Sequence, residues 1–187
     1  MLSIMLSIIH NDHINMSRLL KILRKKIELL EKDEVVDFSL IKTIITYLKN
    51  YSDKYHHTRE DLIYDYYLNN CVVPDTVSTR LPEEHKTIKK ATIELDELLS
   101  MILLDAIVPK EQCIKRLSNF VELQSAHMAY EEQEILPLIE ASLSAEDWSR
   151  IEQQWLQLQL HKEYSDPLFG DEISEQYRKL ATVIKQM

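Results

Sequence analysis

Four of the seven histidines in this chain interrupt apolar helical stripes, where leucine or isoleucine would be the usual residue. Two of them are followed four residues later by a glutamate, which a helix places on the same face. The four histidines and two glutamates are His13, His56, Glu60, His85, His127 and Glu131. Imidazole and carboxylate groups that share a helix face can bind one metal ion or two adjacent ions.

These six residues form two copies of one pattern. The step from His56 to His127 equals the step from Glu60 to Glu131, and the step from His13 to His85 is only one position longer. The pattern therefore predicts two helix pairs, each carrying His … His-x-x-x-Glu. This repetition predicts that four histidines and two glutamates converge between four helices.

A metal site explains this set better than a polar core does. Two unpaired glutamates and four imidazoles inside a bundle would cost several kcal/mol in desolvation. We expect no lysine or arginine on these helix faces to offset that cost. Two cations bridged by the glutamates, with two histidines on each, would remove it. Mixed nitrogen and oxygen ligands at more than four positions favour iron or manganese over tetrahedral zinc.

The apolar periodicity predicts four long helices that hold these residues. We expect the first over residues 2–31 and the second over 39–69. The third is predicted to begin with Pro82 in its first turn, and the fourth to begin at Pro109. The predicted fold is all-α, an up-down-up-down four-helix bundle over residues 1–141.

A C-terminal helical lid over residues 142–187 completes a single predicted domain, 1–187. Ser144 to Asp147 is typical of a capping box at a helix start. A turn over 166–170 and a final helix over 172–185 follow.

Composition excludes several classes of function. A single glycine, Gly170, cannot supply the turns of a many-stranded β fold or a phosphate-binding glycine-rich loop. The net charge of −9 argues against nucleic-acid and anionic-membrane partners. Cys71 and Cys113 lie far apart and are expected to be reduced thiols. The apolar N-terminus has no basic residue before it, so we expect a cytoplasmic protein rather than an exported one.

The order and spacing of the six residues resemble the hemerythrin-like (HHE cation-binding) family. The dipeptides Glu84-His85, His56-His57 and Glu131-Glu132, which include or adjoin these residues, resemble the family pattern too. The resemblance implies a four-helix bundle around a non-haem di-iron centre, two iron ions joined by an oxo or hydroxo bridge. By this similarity, one iron would be held by His13 and His56, the other by His85 and His127, and both would be bridged by Glu60 and Glu131.

The resemblance also implies a function. A di-iron centre of this kind binds or reduces a small diatomic or peroxide ligand, NO, O2 or H2O2, in nitrosative or oxidative stress or in iron supply, with an unidentified electron donor. Oxygen-carrying members hold a fifth histidine where this chain has Leu81, and the four-histidine pattern resembles the bacterial iron–sulfur-cluster repair proteins. An iron or oxygen sensor, or an iron-storage module without turnover, is the alternative. Whether the protein is an enzyme stays open here.

Residues beside the six have weaker claims to a role. His57 follows His56 and should point about 100° away from it, so we expect it at the surface or behind the ligands. Glu84 remains open as an extra carboxylate near the centre. Tyr64 and Tyr130 are candidate hydroxyl donors to a bound ligand, whereas most tyrosines are expected to pack in the core or at its rim.

Overall fold

The structure is a computed structural model of the 187-residue chain, and it describes residues 3–72, 75–159, 166–170 and 172–186. The regular structure in these ranges is entirely helical. The α-helices are α1 (Ile4–Glu31), α2 (Phe38–Tyr51), α3 (His57–Asn70), α4 (Asp75–Leu103), α5 (Lys110–Tyr130), α6 (Leu136–Ser142), α7 (Ala145–Gln159) and α8 (Arg178–Lys185).

Two π-helical turns join some of these helices into longer rods. Ser52–His56 connects α2 to α3, and Glu131–Ile135 connects α5 to α6. The four rods are therefore α1, α2–α3, α4 and α5–α6. A π turn holds one residue more than an α turn and is often found at functional sites. The periodicity of the sequence predicted continuous helices here and did not reveal the two turns.

The rods pack side by side in antiparallel pairs. On α1 and the rod of α5, Arg24 donates to Ser125 at 2.7 Å, while the earlier residue His10 contacts the later residue Glu132 at 3.1 Å. The rods of α2 and α4 also lie alongside each other. The predicted all-α helical bundle is confirmed.

Two apolar clusters fill the bundle on either side of a polar layer. The larger cluster includes the buried side chains Leu23, Leu48, Leu99 and Phe120. The smaller cluster includes the buried side chains Ile9, Ile63, Leu81 and Ile139. Along α1, α2–α3 and α4 the candidate metal-binding residues fall between the two clusters, and on α5–α6 His127 and Glu131 flank Met128 at the edge of the larger cluster. Apolar packing on both sides therefore keeps the polar layer inside the bundle.

Matching turns end α1 and α4. Asp33 and Asp105, which occupy equivalent places in the two repeats, have φ angles of 59° and 60°, in the left-handed region that usually favours glycine. In each turn the next residue donates a backbone hydrogen bond back into the helix, from Glu34 to the Leu29 carbonyl at 2.9 Å in the first. Aspartate tolerates this conformation better than most residues, so the chain ends these helices without glycine. The two-fold repeat thus extends to the loops.

The predicted start of the third helix is wrong. Helix α4 begins at Asp75, so Pro82 lies inside the helix and not in its first turn. Proline in a helix interior removes one backbone hydrogen bond. The adjacent Leu81 is buried in the smaller cluster, and we attribute the tolerance of Pro82 to this packing.

The C-terminal helices lie along the α2–α3 rod. Helix α7 packs against α3, and α8 packs against α2. The predicted capping box is confirmed, because the Ser144 backbone donates to Asp147 at 2.9 Å and the Asp147 backbone donates to the Ser144 hydroxyl at 3.3 Å. The last helix begins at Arg178, later than expected, after a 3₁₀ turn over Glu175–Tyr177. No helix in the described ranges is long and apolar enough to cross a lipid bilayer.

Replacement of Asp105 by glycine should stabilise the fold. Glycine adopts the observed φ of 60° without the side-chain clash, and we expect the free energy of unfolding to rise by about 0.5 kcal/mol after the entropic cost of glycine. Asp105→Ala should lower it. Urea denaturation measures both variants, with Ala106→Gly as a neighbouring control. A gain for Ala106→Gly equal to that for Asp105→Gly would contradict the explanation.

Candidate metal centre

All six predicted residues meet in the polar layer. Each rod supplies part of the set. His13 lies on α1 and His85 on α4. His56 ends the first π turn and Glu60 lies on α3, while His127 lies on α5 and Glu131 begins the second π turn. His85 is the most accessible member, with 13% of its side chain exposed, and the other side chains are at most 4% exposed. The structure therefore gathers in one buried place residues that lie far apart in the sequence, from His13 to Glu131.

The Glu60 carboxylate faces histidines from both halves of the chain. Its Oε1 lies 3.3 Å from Nε2 of His13 and 3.0 Å from Nε2 of His56. Its Oε2 lies 3.7 Å from Nε2 of His85. One oxygen thus faces the histidines of the first repeat, and the other faces a histidine of the second.

Glu131 also faces histidines of both repeats, but its two oxygens divide them differently. Its Oε2 lies 3.3 Å from Nε2 of His13 and 3.3 Å from Nε2 of His127. Its Oε1 lies 3.9 Å from Nε2 of His85. Both carboxylates therefore stand between the two sets of histidines, where a bridging ligand would have to be.

Each of the four histidines also contacts a different carboxylate through its outer nitrogen, Nδ1. The pairs are His13 with Glu132 at 2.7 Å, His56 with Asp12 at 3.3 Å, His85 with Asp61 at 3.3 Å, and His127 with Glu84 at 3.0 Å. A carboxylate accepts a hydrogen bond from Nδ1–H, which leaves the Nε2 lone pair of a neutral imidazole directed at the centre. We call Asp12, Asp61, Glu84 and Glu132 the outer carboxylates.

The outer carboxylates obey the repeat. Asp12 and Glu84 each directly precede a candidate histidine, and Asp61 and Glu132 each directly follow a candidate glutamate. Each of them contacts a histidine on a different rod. Glu84, a candidate from its sequence position for an extra carboxylate near the centre, contacts the outer nitrogen of His127. The roles of Asp61 and Glu132 were missed, although their matching positions in the two repeats were a usable signal.

Comparison with protein families identifies the chain. The model of the hemerythrin HHE cation-binding domain matches residues 4–139, which is more than half of the chain. The chain belongs to this family. It is a family of iron- and oxygen-binding proteins, and the predicted resemblance is confirmed. Neither a curated protein nor a solved structure matched this hemerythrin-like chain.

The donor set of this hemerythrin-like domain fits transition-metal ions. His13, His56, Glu60 and Glu131 offer donor atoms within 4.8 Å of one another. Among the described residues, Nε2 of His13, Nε2 of His56 and both oxygens of Glu60 are buried without a well-formed hydrogen bond. Buried polar atoms are rarely left so. A cation bound among them would satisfy them, and imidazole with carboxylate suits iron or manganese.

Without metal, the histidines of the first repeat hold protons strongly. Burial lowers the pKa of His13, but the adjoining carboxylates of Glu131 and Glu60 outweigh burial and raise this pKa to about 11. Burial likewise lowers the pKa of His56, yet Glu60 and Asp12 raise it to about 9. The charged imidazolium is favoured because each ring lies between carboxylates.

The second repeat shows the same balance. Burial lowers the pKa of His85, but contacts with Asp61 and Glu131 raise it to about 10. Burial by itself would raise the pKa of Glu60, yet His56 and the neighbouring His13 hold it well below its usual range. In the metal-free protein, protons on His13, His56 and His85 therefore supply the positive charge that bound cations would supply.

One expectation about nearby cations is wrong. Arg59 is buried and donates to Asp12 at 2.9 Å, and its guanidinium lies 4.8 Å from the centre of the Trp155 ring. Tyr51 also donates to Asp12, at 2.6 Å. The long arginine side chain thus reaches an outer carboxylate, and it stabilises the carboxylate that contacts His56.

Two positions were expected for His57, at the surface or behind the ligands, and the structure excludes the surface. His57 is 7% exposed, and its ring stacks on that of His85 with 4.3 Å between centroids. His56 faces α1, where it contacts Asp12 and His13. In a bundle, a rotation of about 100° from one neighbouring helix leads to the other neighbour, which here is α4, and not to solvent.

Between about pH 6.5 and 8.5, the stability of the metal-free protein should fall as pH rises, whereas that of the metal-loaded protein should stay nearly constant. The raised pKa values of His13, His56 and His85 stabilise the metal-free fold fully below pH 6.5, and this contribution is lost as pH rises toward about 9 to 11. In the metal-loaded protein these histidines are neutral, as they are in the unfolded chain above about pH 6.5, so its stability should change little with pH in this range. Thermal melting with a chelator and with Mn²⁺ measures both trends. Parallel trends would contradict this account.

Loss of the outer carboxylate Asp12 should weaken metal binding more than loss of Asp61. The Asp12 side chain is 9% exposed and that of Asp61 is 59% exposed, so solvent screens the second contact more strongly. We expect Asp12→Asn to lower the affinity for Mn²⁺ by about 10-fold to 100-fold, and Asp61→Asn to lower it less. Calorimetric titration measures affinity, and circular dichroism checks the helix content. Equal losses in the two variants would refute the ranking.

Proposed function

We propose that this hemerythrin-like domain holds two iron ions between its repeats and binds a small diatomic or peroxide ligand there. The proposed ligands are His13 and His56 for one ion, His85 and His127 for the other, and Glu60 and Glu131 as bridges. The inward Nε2 atoms, the two carboxylates that face both repeats, and membership of the family support this assignment.

A small pocket beside the carboxylates carries the proposal about the ligand. The pocket reaches Glu60, Glu131 and His85, and the space open in it to the centre of a water-sized molecule is about 10 Å³. That volume is roughly what one water-sized molecule needs, so NO, O2 or H2O2 suits it better than an organic substrate. Its other walls are largely apolar and include Ile9, Tyr64, Leu81, Ile135 and Ile139.

Equivalent residues of the two repeats line this pocket. Ile9 is one turn before His13 and Leu81 is one turn before His85, so these two apolar residues correspond to each other in the repeat. A molecule in the pocket would therefore lie beside residues proposed for both ions. Replacement of Leu81 by a larger residue offers a direct way to fill this space.

Different groups of residues have different roles in the proposed chemistry. The ferrous ions supply electrons and Lewis-acid positions when they are bound. The smaller apolar cluster excludes bulk water from the pocket, and the outer carboxylates hold the imidazole rings in place. Burial, with the neighbouring Tyr130 and Tyr67, raises the pKa of Tyr64 to about 12. Tyr64 thus stays protonated, and we propose that its hydroxyl donates to the bound molecule.

The proposed role is reduction of NO or peroxide, or release of iron, under nitrosative or oxidative stress. It includes an unidentified electron donor and a cytoplasmic location, and it includes no nucleic-acid or membrane partner. A sensor or an iron store would use the same site without turnover. Turnover is therefore what distinguishes these functions.

Stopped-flow mixing of the anaerobic Fe²⁺-loaded protein with NO or H2O2 tests the proposal. We expect two irons per chain, a reaction at the centre, and repeated turnover with excess reductant. Leu81→Phe should slow the reaction by about tenfold or more with iron content unchanged, because the larger ring fills the pocket. Leu138→Phe, a change of an exposed leucine outside the pocket, is the control.

Three results would count against parts of this proposal. Fewer than two irons per chain would overturn the dinuclear site. Binding of one ligand equivalent without turnover would favour the sensor or storage alternative. An unchanged rate for Leu81→Phe would remove the pocket from the pathway.

A further inference from the structure

His57 belongs to a second group of donor atoms in the polar layer. The group consists of His57, Glu60, His85 and His127, each offering one atom within 4.8 Å of the others. Its ring stacks on His85 with an interplanar angle of 23°, and its centroid lies 6.1 Å from that of His127. The first group contains no counterpart of this residue.

We propose that His57 is a fifth histidine ligand, on the ion held by His85 and His127. This inference rests on the dinuclear site proposed above and makes its two positions unequal. One ion would have two imidazoles, and the other would have three. Glu60 belongs to both donor groups, so it would still join the two positions.

The departure of His57 from the repeat supports a ligand role over simple packing. The equivalent residue of the second repeat, which follows His127 as His57 follows His56, is Met128. Met128 is 5% exposed and packs in the larger apolar cluster. In the second repeat an apolar side chain fills this position, so packing alone does not explain why the first repeat carries an imidazole there. At this position only the first repeat carries an imidazole, and that imidazole belongs to the second donor group.

The position of His57 also leaves the ligand pocket free. The pocket beside Glu60, Glu131 and His85 is lined by Leu81, one turn before His85. His57 instead borders a separate space with Ile88 and Thr92, on the other side of His85 along α4. A third imidazole can thus complete one ion without occupying the space proposed for the small molecule.

Nitrogen donors change which cations this position prefers. Three imidazoles favour first-row transition metals over Mg²⁺ and Ca²⁺, which prefer oxygen ligands. The His57 position should therefore hold its ion more tightly than the other position. Loss of His57 should then weaken one ion selectively.

Anaerobic titration with Co²⁺ and with Fe²⁺ tests this inference on the full chain. We compare the wild-type protein with His57→Met, which installs the residue found at the equivalent place in the other repeat, and with His85→Met as a reference for loss of a ligand. In the wild type we expect two binding events of unequal affinity. In His57→Met we expect the affinity of one event to fall by about tenfold or more while the other is retained.

Two further measurements separate a ligand from a packing residue. The Co²⁺ absorption spectrum and X-ray absorption of the Fe²⁺ protein should both show fewer imidazoles bound in His57→Met. Helix content and metal-free melting should stay close to the wild type, because methionine is a flexible apolar side chain.

The outcomes distinguish this inference from the proposed function. Two ions in the wild type, with unchanged affinities and imidazole count in His57→Met, would overturn the role of His57 and leave the dinuclear site standing. Fewer than two ions in the wild type would overturn both. A selective loss in His57→Met that resembles that in His85→Met would support the fifth ligand.

Discussion

Burial of two carboxylates side by side is the constraint on which the rest of the structure depends. Glu60 and Glu131 lie at the centre of the bundle, 5% and 1% exposed, with apolar clusters on both sides of them. Two negative charges in such a place repel each other and lose their hydration. The imidazoles of His13, His56 and His85 offset this cost as protonated groups in the metal-free protein, and the histidines would offset it as ligands of cations in the loaded protein. The same ring of residues therefore serves two charge states.

The two-fold sequence repeat produces this ring of histidines and carboxylates. Each helix pair contributes the same inner residues and the same aspartate in its loop, and it carries outer carboxylates at matching places, as aspartates in the first repeat and glutamates in the second. Asp12 and Glu84 contact a histidine of their own repeat, whereas Asp61 and Glu132 contact a histidine of the other repeat. Each repeat therefore needs the other to orient one of its two histidines. The centre is consequently a property of the packed pair. Its departures from symmetry, above all His57 opposite Met128, are where the two metal positions can differ.

Much of this arrangement was predictable from helical periodicity. A histidine in an apolar stripe must face the interior, and a glutamate one turn later must share that face, so the six inner residues could be named before any coordinates were known. The bundle, its short connections and the Ser144 capping box follow from the same local patterns. The extension of α4 past Pro82 could not be read locally, because a distant apolar cluster packs the turn that proline weakens.

Periodicity states how far a residue is rotated from its neighbour, and this is a property of a single helix. It assigned His13 and His56 to buried faces, and it correctly turned His57 about 100° away from His56. It could not say that this direction leads to α4, that Arg59 reaches Asp12, or that each Nδ1 meets a carboxylate from another rod. Those contacts depend on which helices are neighbours and at what height they meet, and only the packing of the apolar clusters sets both.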